Sequence, residues 1–434
     1  MSSHNQYYYQ WFEEIPLDWE YKKIKFLTTL RNEKINENTE LPYVGLENIE
    51  SKTGMYFGID STNNVEVEGI SNKFYENDVL FGKLRPYLAK CILSDFEGIC
   101  TTELLVMKVK EQKLSEKYLK YLLLSPKFID LVNSSTYGSK MPRANWGFIK
   151  NIEIPVPELA VQKRIENFIE NKTIEIDELI VEKEQLIQLL EEKRQSIITE
   201  AVTKGLNPNV KMKDSGVEWI DEIPEQWEKT RLDFIARVKA RLGWKGLKAD
   251  EYVDKGYIFL STPNLKSRNI DFENVNYITE ERYVESPEIM LEKGDVLLAK
   301  DGSTLGITNV VRELPSKATV NSSIAVLRPK ELIDSIYFYY YLSSTYIQDI
   351  INQIKGGMGV PHLFQADIKK FPVILPPLCE QKEIAKYIDE QVENLDSLIE
   401  TIKVQIQNLK DYRQSLIYEA VTGKIDVRDF EVKA

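Results

Sequence analysis

Short basic and aromatic clusters are the part of this sequence with recognisable chemistry. Phe81-Gly-Lys-Leu-Arg-Pro-Tyr-Leu-Ala-Lys90 sets Lys83, Arg85 and Lys90 around a tyrosine within one short strand and turn. Gly138-Ser-Lys-Met-Pro-Arg-Ala-Asn-Trp146 is a glycine-started loop carrying Lys140, Arg143 and Asn145. Arg241, Trp244 and Lys245 make another cluster. Further along, Lys300-Asp-Gly-Ser-Thr-Leu-Gly306 supplies Lys300, Ser303 and Thr304, and Lys355-Gly-Gly-Met-Gly-Val-Pro-His362 supplies Lys355 and His362. Arginine matches the two acceptors of guanine, asparagine the donor–acceptor pair of adenine, and lysine or serine the phosphate oxygens. These residues are the candidate contacts to nucleic acid. Taken singly, each reads equally well as a solvated charge or a packed aromatic, so only their arrangement carries weight.

The same sequence lacks the residues of catalysis. It has no GxxxxGK[S/T] phosphate loop, no HExxH and no Cys or His set at metal-ligand spacing. His4 and His362 are its histidines, too few for a histidine-based metal site and no basis for a Ser–His or Cys–His nucleophile. The Asn/Asp-Pro-Pro-aromatic box of amino-methyltransferases is missing, since Pro376-Pro377 sits in Leu-Pro-Pro-Leu without the amide or carboxylate that would hold an amine. Gly302 and Gly306 suggest a phosphate loop, yet no helical pattern follows them. The expectation is a chain with no catalytic, cofactor-binding or metal-ligating residues. Cys91, Cys100 and Cys379 form no CxxC pair, an odd, sparse set that suits a reducing cytoplasm. No apolar run approaches the roughly 18 residues that span a bilayer. The polar, aromatic start from Met1 to Trp11 is unlike a signal peptide. A cytoplasmic protein with no membrane partner is expected.

The clusters are positioned by a chain written twice. Trp11-Phe-Glu-Glu-Ile-Pro-Leu-Asp-Trp19 returns as Trp219-Ile-Asp-Glu-Ile-Pro-Glu-Gln-Trp227. Asn77-Asp-Val-Leu-Phe-Gly-Lys83 returns as Gly294-Asp-Val-Leu-Leu-Ala-Lys300, and Gly138–Lys150 aligns with Gly357–Lys369. Residues 162–203 align without a gap to 381–422, roughly 18 of 42 positions being identical. Each half has strand-like runs (Asp78–Phe81, Asp295–Leu298), then a helical stretch (Tyr118–Leu124, Tyr337–Leu342), then a proline-marked start to a long charged helix. The divergent stretches between matched boxes are where the halves would do different jobs. A formal net charge of −12 looks wrong for a DNA binder. Its distribution changes that reading, with about +2 over 21–155 and about +1 over 228–374, so the acidic excess lies on the helices and junctions.

The long helices carry an apolar stripe at alternating four and three spacing. In the first it runs Ile165, Ile169, Ile176, Leu179, Leu186, Leu190, Ile197 and Ala201, with Lys172, Lys183 and Lys193 filling the missing steps. In the second it runs Ile384, Ile388, Leu395, Leu398, Ile402, Leu409, Leu416 and Ala420. Such a stripe is buried against another helix. An intermolecular dimer is one solution. Antiparallel pairing within the chain is favoured, because the copies carry the same stripe and the tether raises effective concentration. The expected fold class is α/β (α+β), with two pseudo-repeated globular domains separated by two long helices in an antiparallel coiled coil. The expected boundaries are a first domain over 1–157, a central helix over 158–204, a linker over 205–213, a second domain over 214–376, a C-terminal helix over 377–422 and a tail over 423–434.

In this order, twice, the boxes resemble those of type I restriction-modification specificity subunits over nearly the whole chain. That family's half begins with W-x-x-x-I-P-x-x-W, contains a GDVL-type strand followed by K-x-R-P-Y, and closes with a G-x-x-x-P loop and a P-P-L-x-E-Q helix start. K-x-R-P-Y is complete only in the first half, at Lys83–Tyr87, and Lys300-Asp-Gly-Ser replaces it in the second. Pro376-Pro-Leu-Cys-Glu-Gln381 fits the helix start, whereas Pro157-Glu-Leu-Ala-Val-Gln162 departs from it by losing the Glu before Gln. The resemblance implies two target recognition domains, each reading half of a split asymmetric DNA site, and a chain that is not itself an enzyme. It also implies two methyltransferase subunits docked on the helices, with restriction subunits beyond them. S-adenosylmethionine, ATP and Mg2+ would belong to those partners. The alternatives are the specificity subunit of a related two-part, non-translocating system, a stand-alone methyltransferase or nuclease that the missing motifs disfavour, and a coiled-coil scaffold without a DNA role.

Overall fold

The computed structural model describes residues 10–35, 40–58, 69–110, 113–217, 220–241, 247, 249–355 and 362–427. The chain divides into unit 1, Met1–Glu184 with Lys403–Ala434, and unit 2, Gln185–Ile402.

Unit 1 opens with β1 (Glu20–Lys23), the one-turn helix α1 (Ile24–Leu27) and β2 (Thr28–Leu30). The strands β3 (Lys34–Ile35), β4 (Tyr43–Val44), β5 (Ser71–Phe74), β6 (Val79–Gly82), β7 (Cys91–Leu93), β8 (Gly98–Thr101) and β9 (Leu104–Val109) follow. They form two four-stranded sheets with β2, ordered β2-β9-β6-β7 and β3-β5-β8-β4, in which β4 alone runs parallel to its neighbour. β6 is apolar throughout because both its faces are covered. Val79 and Phe81 join the core beneath α2 (Glu116–Leu124) and α3 (Pro126–Ser134), while Leu80 packs on the other side with Val44 and Phe74. After α4 (Trp146–Ile149), β10 (Glu153–Val156) pairs antiparallel with β1, and the 46-residue α5 (Leu159–Lys204) begins.

Unit 2 adds a hairpin of β11 (Met212–Val217) and β12 (Ile220–Pro224), then repeats the plan with β13 (Glu228–Arg231), α6 (Leu232–Ile235) and β14 (Ala236–Lys239). β15 (Tyr257–Leu260), β16 (Asn276–Ile278), α7 (Glu280–Val284), β17 (Val296–Ala299), β18 (Thr308–Val310), β19 (Ala318–Val320) and β20 (Ile324–Pro329) come next. The order β14-β20-β17-β18 reproduces β2-β9-β6-β7 strand for strand. α8 (Ser335–Ser343), α9 (Thr345–Lys355), α10 (Gln365–Ile368) and β21 (Pro372–Leu375) lead to the 44-residue α11 (Leu378–Val421), with β21 antiparallel to β13.

The repeated boxes turn out to be structural. Asn77 and Gly294 take left-handed φ values of 67° and 93°, a turn conformation that asparagine and glycine reach at little cost. The buried aspartate after each accepts a backbone N–H, from Tyr75 to Asp78 at 2.9 Å and from Glu292 to Asp295 at 2.8 Å. Each then pairs with an arginine, Arg31 at 2.5 Å and Arg328 at 2.8 Å. Gln162 and Gln381, both fully buried, fasten the long helices. Gln162 Nε2 donates to the Lys113 and Pro157 carbonyls and its Oε1 accepts from Ser115 N. Gln381 does the same with Leu332, Pro376 and Asp334. Gly205 (φ 78°) and Gly423 (φ 73°) end the helices in the left-handed conformation. A side chain at Gly205 would meet the Trp227 ring, and one at Gly423 would meet Trp19 and Pro16. Trp219, the other tryptophan of the second box, lies outside the described residues.

Each unit is closed by the helix that starts in the other half of the sequence. Tyr118 Oη donates to the Val421 carbonyl (3.1 Å) in unit 1, and Tyr337 Oη to that of Val202 (3.2 Å) in unit 2. The long helices are antiparallel within the chain. In unit 1, Asp177 faces Arg413 (3.3 Å) and Lys183 donates to Gln405 (2.7 Å); in unit 2, Arg194 pairs with Asp396 (2.8 Å). One detail of the stripe differs from the sequence expectation. Leu179, Leu186 and Leu398 are exposed, and Ile180 and Ile399 are buried in their stead. Buried Ile384, Ile388, Val392, Leu395 and Ile399 step by four, four, three and four. Their mean step is longer than the 3.5 residues of a strict heptad, as expected of helices that drift off a strict heptad.

Candidate nucleic-acid interface

In unit 1 two loops zip together at the end of β6. Lys83 N donates to the Glu103 carbonyl (3.0 Å), the Lys83 carbonyl accepts from Ala144 N (2.8 Å), and Arg85 N donates to the Pro142 carbonyl (2.7 Å). Arg143 bridges both Leu84 and Tyr137 through its backbone. The loop after β6 and the Gly138 loop therefore share one edge, and Lys83, Arg85 and Arg143 meet there. Arg85 is exposed and held at φ 50°, next to the one-turn 3-10 helix Pro86–Leu88, with Ala89 also left-handed at φ 48°. A left-handed conformation costs a non-glycine residue about 1–2 kcal/mol. Strain of this kind gathers where a side chain must be aimed.

Arg143 is the most constrained side chain of the pair. Its Nε donates to both Glu103 carboxylate oxygens, at 3.0 and 3.2 Å, and the side chain stays 34% exposed. A guanidinium fixed through Nε presents its remaining N–H groups in one direction. Lys140 and Tyr137 are exposed on the second loop, and Tyr87 is exposed on the 3-10 turn of the first. Asn145 is engaged locally, its Oδ1 accepting from Gly147 N (2.6 Å) to cap α4. Lys90 Nζ donates to the Leu46 carbonyl (2.6 Å), away from the loop pair.

Unit 2 builds the same frame. Lys300 N donates to the Ser323 carbonyl (2.8 Å), the Lys300 carbonyl accepts from Leu363 N (2.8 Å), and Asp301 bridges His362. His362 thus stands where Arg143 stands in unit 1, Gly302 (φ 64°) where Arg85 stands, and Phe364 where Asn145 stands. His362 Nδ1 is hydrogen-bonded to Asp301 Oδ1, and its ring lies 4.5 Å from that of exposed Phe364. Lys300 is nearly buried, with Nζ 3.2 Å from Asp301 Oδ2. Ser303 is exposed on the 3-10 turn Gly302–Thr304. Lys355 closes α9, and residues 356–361 between it and His362 lie outside the described residues, as do Trp244 and Lys245. Arg241 turns inward, its side chain 5% exposed and paired with Glu285 at 3.3 Å. The structure does not gather Arg241 or Lys90 into the loop pairs.

Glu103, Asp301, Tyr87, Tyr137 and Phe364 were not among the sequence-derived candidates. Asp301 could have been picked from its place beside Lys300; nothing local marks Glu103. The thiols are packing groups in unit 1, where burial pushes Cys91 and Cys100 up to about 12 and keeps them protonated.

The same loop pair is thus built on duplicated frames, with a partly exposed arginine held by Glu103 in unit 1 and a partly exposed imidazole held by Asp301 in unit 2. Residues 16–191 and 224–408 match the model of the type I restriction modification DNA specificity domain. The chain belongs to that family. It is 25% identical over 427 residues to the MjaVIII type I restriction enzyme specificity subunit of Methanocaldococcus jannaschii, covering 96% of this chain and 95% of that one. The HsdS subunit of Thermoanaerobacter tengcongensis shares the fold at a TM-score of 0.54 and 19% identity, over 95% of this chain and 99% of that one. A chain solved in work on complex assembly and conformational transition of the type I R-M system is nearer in fold. It has a TM-score of 0.75 at 19% identity, over 95% of this chain and all of that one. No helix among the described residues is long and apolar enough to cross a membrane.

Proposed function

We propose that this chain reads a two-part DNA target, one part with each loop pair, and lends that specificity to catalytic subunits docked on its long helices. The observation that carries this is the pairing of one backbone frame with two sets of side chains: Lys83, Arg85, Arg143 and Lys140 in unit 1, Lys300, Ser303 and His362 in unit 2. An arginine held by Glu103 suits guanine's acceptor pair, and the exposed lysine and serine suit phosphates. Identical frames with unlike tips suit an asymmetric target. Exposed Leu179, Leu186, Leu189, Leu398 and Val404 on the long helices support protein docking there. Two methyltransferase subunits would occupy the helices, with restriction subunits beyond them, and those partners would bring S-adenosylmethionine, ATP and Mg2+. The chain itself contributes recognition and no chemical step.

Exchange of residues 21–155 for the matching block of another such subunit tests the reading, by methylome sequencing of cells that also carry the methyltransferase subunit. One half of the methylated motif is expected to change and the other to persist. A change in both halves overturns the two-reader arrangement.

A further inference from the structure

One surface feature is repeated in both units and has no part in the loop pairs. The one-turn helices α1 and α6 bury their first and last residues, Ile24 and Leu27 in one, Leu232 and Ile235 in the other. Each holds a phenylalanine outward: Phe26 is 59% exposed and Phe234 61%. Both helices are locked by the same contacts. Ile24 N and Lys25 N donate to the Ile152 and Lys150 carbonyls, as Leu232 N and Asp233 N do to those of Phe371 and Lys369. An exposed lysine clamps each helix from the end of the neighbouring strand, with Lys110 Nζ on the Lys25 carbonyl and Lys330 Nζ on the Asp233 and Phe234 carbonyls, all at 2.9 Å. A cation lies against each ring, Lys25 at 5.2 Å and Arg231 at 5.6 Å.

A lone exposed phenylalanine needs no explanation. Here the neighbours have diverged, Lys22 to Thr230, Lys25 to Asp233 and Thr29 to Arg237, while the outward phenylalanine and its clamping lysine recur. Residues that read different bases must differ between the halves, so a surface kept alike faces something alike. It also lies away from the loop pair. β9 runs from Leu104, paired with Gly82 just before Lys83, to Val109, paired with Thr28 just after α1. Five steps along a strand are about 17 Å. β20 separates the two features in unit 2 in the same way, from Ile324 beside Ala299 to Pro329 beside Ala236.

We infer that Phe26 and Phe234 are equivalent anchors for two copies of one protein subunit, each ring inserting into an apolar pocket on that subunit. This rests on the proposed function in taking that subunit to be the methyltransferase, and adds a contact on each globular block to those on the helices.

The test uses the full chain co-expressed with the methyltransferase subunit of the same restriction-modification system, with Phe26→Ala, Phe234→Ala, the double substitution and Phe26→Leu. Native mass spectrometry and titration are expected to give two bound copies for the unsubstituted chain. Each single alanine variant should bind one copy at least tenfold more weakly, the double variant both, and the leucine variant close to normally. Binding of a target duplex and the thermal midpoint of the free chain should not move. Two copies held with unchanged affinity in the double variant overturn the inference. So does a loss of duplex binding with the copies retained, which would make these rings DNA contacts. An unsubstituted chain that takes up no methyltransferase overturns the partner assignment of the proposed function, and this inference with it.

Discussion

The loop pairs of the two units are the same object in backbone and different objects in side chain. Ala144 N to Lys83 O and Leu363 N to Lys300 O are both 2.8 Å, yet the residue aimed from the second loop is arginine in one unit and histidine in the other. The carboxylate that holds it also changes origin. Glu103 reaches Arg143 from the turn between β8 and β9, whereas Asp301 reaches His362 from within the loop after β17. At the left-handed position unit 2 has glycine, which fits without strain, and unit 1 has Arg85, which does not. Main-chain hydrogen bonds do not depend on side-chain identity, so specificity can change while the frame persists.

The largest expected effect probes how each unit is closed. Trp227 is fully buried against Gly205, with Nε1 donating to Glu380 at 3.0 Å, while Trp19 beside Gly423 is only half-buried. Trp227→Ala should destabilise unit 2 by roughly 3–5 kcal/mol, and Trp19→Ala should cost unit 1 less than half of that. Urea unfolding followed by circular dichroism measures both. Equal losses would show that the boxes do equal structural work despite their different burial.

A smaller effect separates the readers. Arg143→Ala should relax discrimination at one position of the first half-site by about 1–3 kcal/mol and leave the second half-site alone, with His362→Ala doing the reverse. Binding to a panel of singly substituted duplexes reads this out. A uniform loss across all sequences would mark either residue as a phosphate contact, recognisable by a salt slope lowered by about one.

The smallest effect concerns strain. Arg85→Gly gives unit 1 the residue that unit 2 already has. It should leave stability unchanged or raise it by up to about 1 kcal/mol, while weakening recognition of the first half-site. Lower stability together with full recognition would show that Arg85 serves the fold.

Much of this was legible in the residues. Duplication, the tryptophan boxes, the strand-like runs that begin at Asp78 and Asp295 and the long helices are patterns that the residues themselves carry. The placement of Lys83 and Arg85 beside Arg143 could be suspected from the repeated boxes, since both boxes recur in the same order. Tertiary structure alone decided the rest. Glu103 and Arg143 are 40 residues apart and meet only because β8 and β9 turn beside the second loop. Arg241 became an inward ion pair with Glu285, 44 residues away, a choice set by packing, whereas Asn145 caps α4 through a local contact that its residue type favours. On the long helices, Ile180 is buried and Leu179 exposed because a straight helix advances 100° per residue and the partner helix selects the face. Composition and spacing state which groups a chain owns; the packing of distant segments determines which of them reach the surface free to act.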